Sequence, residues 1–172
     1  GAMTGFFGVP THFHALMSLE PALLERCRPR TLRAVISNAA PLPQPMKEKL
    51  VAYFGEGLLH ETYGSTEAGI VTNLRPADQL RKRNCVGQPF PATEVEIRRD
   101  DGSLCAVDEV GELFSASPYL FNGYWNKPEA TTEAWRDGWV TVGDLARRDA
   151  DGHVYIVDRK KDMVISGGVN IY

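Results

Sequence analysis

The chain has 172 residues, 43% hydrophobic and 24% charged, which is ordinary for a globular protein of one domain or two small ones. Its net charge of −3 excludes the basic footprint of a nucleic-acid binder. Cys27, Cys85 and Cys105 are widely separated, odd in number and not at zinc-ligand spacing, and no apolar run approaches a membrane span, so a cytoplasmic protein with free thiols is expected.

Gly1-Ala2-Met3 reads as the remnant of a cleaved tag and a start methionine, so the fold is expected to begin at Thr4. Pro10-Thr11 opens an amphipathic helix with Phe13, Leu16 and Met17 at helical spacing. The run LRAVIS at 32–37 predicts a buried strand of a largely parallel sheet. A second helix starts at Pro43-Gln44-Pro45, carries Met46, Leu50, Val51 and Phe54 on one face, and stops at Gly55. Residues 57–62 predict a second buried strand whose carboxyl end delivers a turn at Tyr63, where open α/β sheets bind ligands.

Beyond Lys82 the pattern changes. Val95 and Ile97 alternate with Glu94, Glu96 and Arg98, as in a half-buried strand. Asp101-Gly102 and Asp151-Gly152 are hairpin turn signals. Residues 110–115, 140–142 and 153–157 predict further strands, and 128–135 a short helix opened by Pro128. The fold class is therefore α/β. An αβ layered part with a largely parallel sheet (4–82) precedes a small antiparallel, barrel-like β part (83–158), and 159–172 starts a further element.

The chemistry concentrates in His60-Glu61-Thr62-Tyr63-Gly64-Ser65-Thr66-Glu67-Ala68-Gly69. A ring such as Tyr63 can stack on a purine. Gly64 lets the backbone approach a ligand. Thr66 can donate to a phosphate oxygen, and Glu67 offers the hard oxygen that Mg²⁺ prefers. Locally the run also fits an ordinary strand-to-helix turn, with Ser65 or Thr66 as cap and Glu67 in the first turn. Asp144, after Gly143 at the end of a strand, can accept both hydroxyls of a ribose or cap a turn. His12 and His14 sit two apart, which on a helix puts them on different faces and makes a poor metal pair. Asp149-x-Asp151-Gly152 lacks the later ligands of a calcium loop and reads as a hairpin turn. There is no Gly-x-Ser-x-Gly elbow and no evident Cys-His pairing.

Four segments in order resemble the adenylate-forming superfamily, and within it the acyl-CoA synthetases. They are Ser37-Asn38-Ala39-Ala40-Pro41-Leu42, the run 60–69, Gly138-Trp139-Val140-Thr141-Val142-Gly143-Asp144, and Tyr155-Ile156-Val157-Asp158-Arg159-Lys160-Lys161-Asp162. Each is weak alone; four in order are strong, and the resemblance covers nearly all of 9–172. The resemblance implies that Ala39, Ala40 and Pro41 flank an adenine, with Asn38, Ala39, Gly64 and Gly69 facing an acyl pocket. It implies nucleotide contacts from Thr62, Tyr63, Gly64, Ser65, Thr66, Asp144 and Arg159, and Mg²⁺ at Glu67. Thr66, Glu67 and Lys161 would serve catalysis, Lys161 as the hinge of a mobile lid. Two positions depart from the family: Val142 stands where Thr is usual, and Glu61 where Gln is frequent.

The resemblance implies a ligase that joins a carboxylic acid to ATP, releases pyrophosphate, and passes the acyl group from AMP to coenzyme A. The family's Gly/Ser/Thr-rich phosphate loop and its lid lysine are not in this sequence. It is therefore expected to be an internal stretch of such an enzyme, inactive alone and open to self-association through uncovered sheet edges. Two alternatives are an adenylation domain that loads an aryl or amino acid onto a carrier protein, and a non-catalytic interaction module.

Overall fold

The computed structural model describes residues 2–159, and the backbone of 164–166 and 169–171. Lys161, the expected hinge, lies outside the described residues. The chain divides into two compact units, Gly1–Thr62 with Leu74–Asn84 and Met163–Tyr172, and Tyr63–Asn73 with Cys85–Asp162.

The first unit is built on parallel strands. β1 (Gly5–Gly8) precedes α1 (Pro10–Met17), α2 (Pro21–Arg26), β2 (Ala34–Ser37), α3 (Gln44–Phe54) and β3 (Leu59–Ser65). β2 is the centre: Phe6 pairs with Val35 on one side and Val35 with Leu59 on the other, both parallel. Helical crossovers make a parallel arrangement possible, and they cover the apolar strand faces. Phe13 of α1 and Met46 and Leu50 of α3 pack with Val35, Leu42 and Leu59, each at most 5% exposed. Phe6 meets Phe13 edge-on, ring centroids 5.6 Å apart. Pro10 stands in the first turn of α1, where a missing N–H costs nothing. Gly55 ends α3 at φ 107°, a backbone angle that a side chain disfavours. β1 and α2 were not expected: GFFG has only four residues and α2 only six, too few for a periodicity to show.

The second unit is antiparallel. It holds the end of β3, then β4 (Gly69–Leu74), β5 (Gln88–Pro89), β6 (Glu94–Arg98), β7 (Gly111–Ala116), α4 (Pro128–Ala134), β8 (Trp135–Arg136), β9 (Trp139–Val140), β10 (Asp144–Arg148) and β11 (Val154–Arg159). β6 to β11 form one six-stranded sheet in which β7 pairs with β6, β9 and β10. The expected alternation holds: Val95 and Ile97 of β6 are each 5% exposed and join Ala68, Val71, Leu113, Val140, Ala146 and Val154 in one core. Asp149 explains the turn between β10 and β11. Its Oδ1 accepts the N–H of Asp151 at 3.0 Å and of His153 at 2.9 Å, so this loop is tied by its own carboxylate. Beyond β11, β12 (Val164–Ser166) and β13 (Val169–Ile171) pair antiparallel.

Two local expectations change. The run 60–69 is not a strand-to-helix turn. β3 continues through Tyr63 to Ser65, a three-residue turn follows at 66–68, and β4 returns beside it. Ser65 Oγ accepts the Ala68 N–H at 3.1 Å, closing the turn rather than capping a helix, and Gly69 takes φ 68°. Asp144 opens β10 rather than closing a strand.

Candidate functional site

In the first unit, β2 ends at Ser37 and the 38–42 segment follows its carboxyl end, with the Asn38 N–H donating to the Gly8 carbonyl at 3.3 Å. Asn38 is half-buried and donates from Nδ2 to Thr62 Oγ1 at 2.7 Å. Its Oδ1 accepts the N–H of Ala39, which sits at φ 73°. That angle is unfavourable for a residue with a Cβ, so the surrounding bonds must hold it. Ala39 and Pro41 are exposed, Ala40 half-buried. The far end of the segment is held at Leu42, whose N–H donates to Glu61 Oε1 at 2.9 Å. Glu61 in turn forms a buried ion pair with Lys47 of α3. Sequence reading left Glu61 as a departure from the family and passed over Lys47. The available signal was a lysine three residues before Leu50 on the apolar stripe of α3.

In the second unit, Asp144 is 1% exposed and carries two partners. The Tyr63 hydroxyl donates to Oδ2 at 2.5 Å, and Arg159 Nε lies 2.8 Å from Oδ1 as an ion pair. Burial, and then the adjacent Asp144 carboxylate, hold the Tyr63 hydroxyl well above its ordinary pKa of 10.0, with Arg159 opposing. Tyr63 is therefore a fixed proton donor. Residues 63, 144 and 159, remote in sequence, meet here. The approach to Asp144 is braced by Thr141. It donates to Glu112 Oε1 at 2.7 Å and accepts the Gly143 N–H at 3.1 Å. Thr141 thus supplies a hydroxyl one residue before Val142, and neither it nor Glu112 was singled out from sequence.

Glu67 lies in the turn between β3 and β4. Its Oε1 accepts the Tyr124 hydroxyl at 2.6 Å, and its carbonyl accepts the Phe121 N–H at 2.8 Å. Among the described residues Oε2 accepts no hydrogen bond, which leaves one hard oxygen for a divalent cation. Thr66 is exposed beside it. Gly64 has a structural role that sequence reading gave to ligand approach. A Cβ there would lie 1.9 Å from the Gly69 carbonyl oxygen, so the hairpin itself requires glycine. Gly69 faces Tyr119, whose Cβ would be 3.4 Å from an added Cβ. His12 is accounted for by the start of α1, where Nδ1 accepts the Val9 N–H at 3.4 Å.

Residues 2–125 match the sequence model of a family described as AMP-binding enzyme. A long-chain-fatty-acid–CoA ligase of Yersinia pestis is 37% identical over 169 residues, 98% of this chain and 30% of that protein. The structure of the amide bond synthetase McbA from Marinactinospora thermotolerans superposes with TM-score 0.90 at 34% identity, over 98% of this chain and 34% of that one. O-succinylbenzoate coenzyme A synthetase (MenE) from Bacillus subtilis, in complex with ATP and magnesium ion, gives TM-score 0.80 at 30% identity, over 99% and 34%. The chain spans about a third of the length of the relatives it matches.

Proposed function

This chain belongs to the AMP-binding enzyme family, and we propose that its protein is an ATP-dependent acyl-CoA synthetase. In the first half-reaction a carboxylate oxygen attacks the α-phosphorus of ATP, and the bond to the bridging oxygen of pyrophosphate breaks. In the second, the thiolate of coenzyme A attacks the acyl carbonyl and AMP leaves as its phosphate anion. Both steps depend on positioning and on stabilising charge that develops on oxygen.

The observation that carries this reading is the Tyr63–Asp144–Arg159 cluster. A buried carboxylate fixed by a hydroxyl and a guanidinium is pre-oriented to accept the two hydroxyls of a ribose. The Tyr63 ring, held by its own hydroxyl, offers an aromatic face to the adenine. Thr66 donates to phosphate oxygen. Ala39, Ala40 and Pro41 present small surfaces to the base, Asn38 and Ala39 border the acyl group, and Gly64 and Gly69 shape the hairpin that carries Thr66 and Glu67. Ser65 holds the backbone of the turn, and Thr62 holds the Asn38 side chain and the Ser37 carbonyl. Glu67 would hold Mg²⁺, which offsets charge on the phosphates when bound. For Lys161 the hinge role rests on the family resemblance.

The test uses the full-length protein of the reading frame that contains this chain. Acid-dependent exchange of pyrophosphate into ATP is measured across short, long and aromatic acids, with Asp144→Ala beside the wild type. Exchange with one acid class is expected, and a loss of about a hundredfold in kcat/KM for ATP in the variant. An Asp144→Ala protein that folds and keeps wild-type exchange overturns the assignment. The likeness to an amide bond synthetase supports a second reading, in which an amine nitrogen takes the acyl group in place of the thiolate. Product analysis with coenzyme A, a small amine and a carrier protein in parallel separates these acceptors.

A further inference from the structure

We propose that the buried Lys47–Glu61 ion pair is a positioning device that holds the 38–42 segment in shape, and through it sets the affinity for the adenine end of ATP. The second clause rests on the function proposed above. The side chains of Lys47 and Glu61 are 3% and 7% exposed. Two charges taken out of water are a poor route to stability, because their desolvation offsets their attraction. What the pair does accomplish is geometric. Lys47 comes from α3 and Glu61 from β3, so the carboxylate is clamped between a helix and a strand. Its other oxygen accepts the Leu42 N–H.

The next residue on β3, Thr62, accepts from Asn38. Adjacent strand positions therefore pin both ends of a five-residue segment, and between the pins Ala39 sits at φ 73°. Such a conformation persists only where its surroundings over-determine it. Removing the Glu61 acceptor frees the Leu42 end and lets Ala39 relax toward an ordinary angle. The exposed 39–41 backbone then loses its fixed position. Lys47 acts at one remove: it holds the Glu61 carboxylate in place.

The experiment compares three double variants with wild type in the full-length protein. Lys47→Met/Glu61→Gln removes both charges but keeps an amide oxygen for Leu42. Lys47→Met/Glu61→Leu removes charges and acceptor at similar volume. Lys47→Met/Glu61→Met is a second apolar pair, for use if the leucine variant fails to fold. Amide hydrogen exchange at Ala39, Ala40 and Leu42 reads the segment, and the ATP and acid KM values read its consequence. Exchange at these amides is expected to quicken at least tenfold in the apolar pairs. KM for ATP should rise about tenfold while KM for the acid moves less than threefold, and the glutamine pair should recover most of both losses.

Unchanged exchange in a folded apolar pair overturns the positioning role. Faster exchange with unaltered ATP KM overturns the link to the nucleotide. A wild type that forms no adenylate with any acid fails the proposed function instead, and the exchange measurement still decides whether the pair holds the segment.

Discussion

At the scale of single residues, the same side chain can serve a site and a fold, and the structure separates the two. Tyr63 is held protonated by burial and by Asp144. A group whose folded pKa is raised contributes stability that is complete below its unfolded value and is lost as pH climbs above it. Stability is therefore expected to be flat in Tyr63 through neutral pH and to fall above about pH 10. Urea denaturation at pH 8 and at steps above pH 10 should show a steeper alkaline loss in wild type than in Tyr63→Phe; parallel curves would refute it. Gly64 makes the opposite point. Its Cβ-free backbone is demanded by the Gly69 carbonyl, so Gly64→Ala should cost about 3 kcal/mol, seen as a lower denaturation midpoint before any ligand is added. A variant with wild-type stability and weakened nucleotide binding would restore the ligand-approach explanation.

At the scale of elements, the first unit depends on helices covering a parallel sheet. Phe13 is fully buried between β1 and β2 on one side and α3 on the other, and it meets Phe6 edge-on. Phe13→Ala removes the largest fully buried side chain of this unit and leaves a cavity. A loss of about 3–5 kcal/mol is expected, read from urea unfolding followed by circular dichroism. A loss under about 1 kcal/mol would mean that the site collapses around the smaller side chain. The hairpin of β3 and β4 shows how element identity decides site geometry. A helix after Tyr63 would aim N–H groups at a ligand, whereas the hairpin presents the 66–68 turn and its side chains. Thr66 and Glu67, which the family resemblance assigns to phosphate and cation, stand in that turn.

At the scale of the whole molecule, β1 is an edge strand of its sheet among the described residues. Among the described residues β1 pairs only with β2, and Phe7 on it is 62% exposed. Trp125 is 89% exposed and Tyr119 60%. Unpaired strand edges and exposed aromatic rings favour association. We propose that the 172-residue chain by itself self-associates in a concentration-dependent way, and that Phe7→Lys reduces it. Sedimentation velocity at several concentrations reads this directly, and a wild-type chain that stays monomeric at all of them refutes it. Among the described residues no helix is long and apolar enough to cross a membrane.

Periodicity determined much of this protein. The apolar stripe of α3, the alternation in β6 and the turn residues at 151–152 are local signals, and each led to the element observed. The family was legible because four short segments keep their order, and order survives in a linear string. Other features depend on groups far apart in the chain. Asp144 meets Tyr63 across 81 residues and Glu67 meets Tyr124 across 57. No local pattern encodes such meetings; only the folded backbone brings the partners within a hydrogen bond. Thr141 bonded to Glu112 and Gly143, glycine at 64 forced by the backbone carbonyl of residue 69, and a buried lysine paired with Glu61 all belong to that second class. They follow from steric exclusion and from the need to satisfy buried polar groups, and both constraints exist only once the chain has folded.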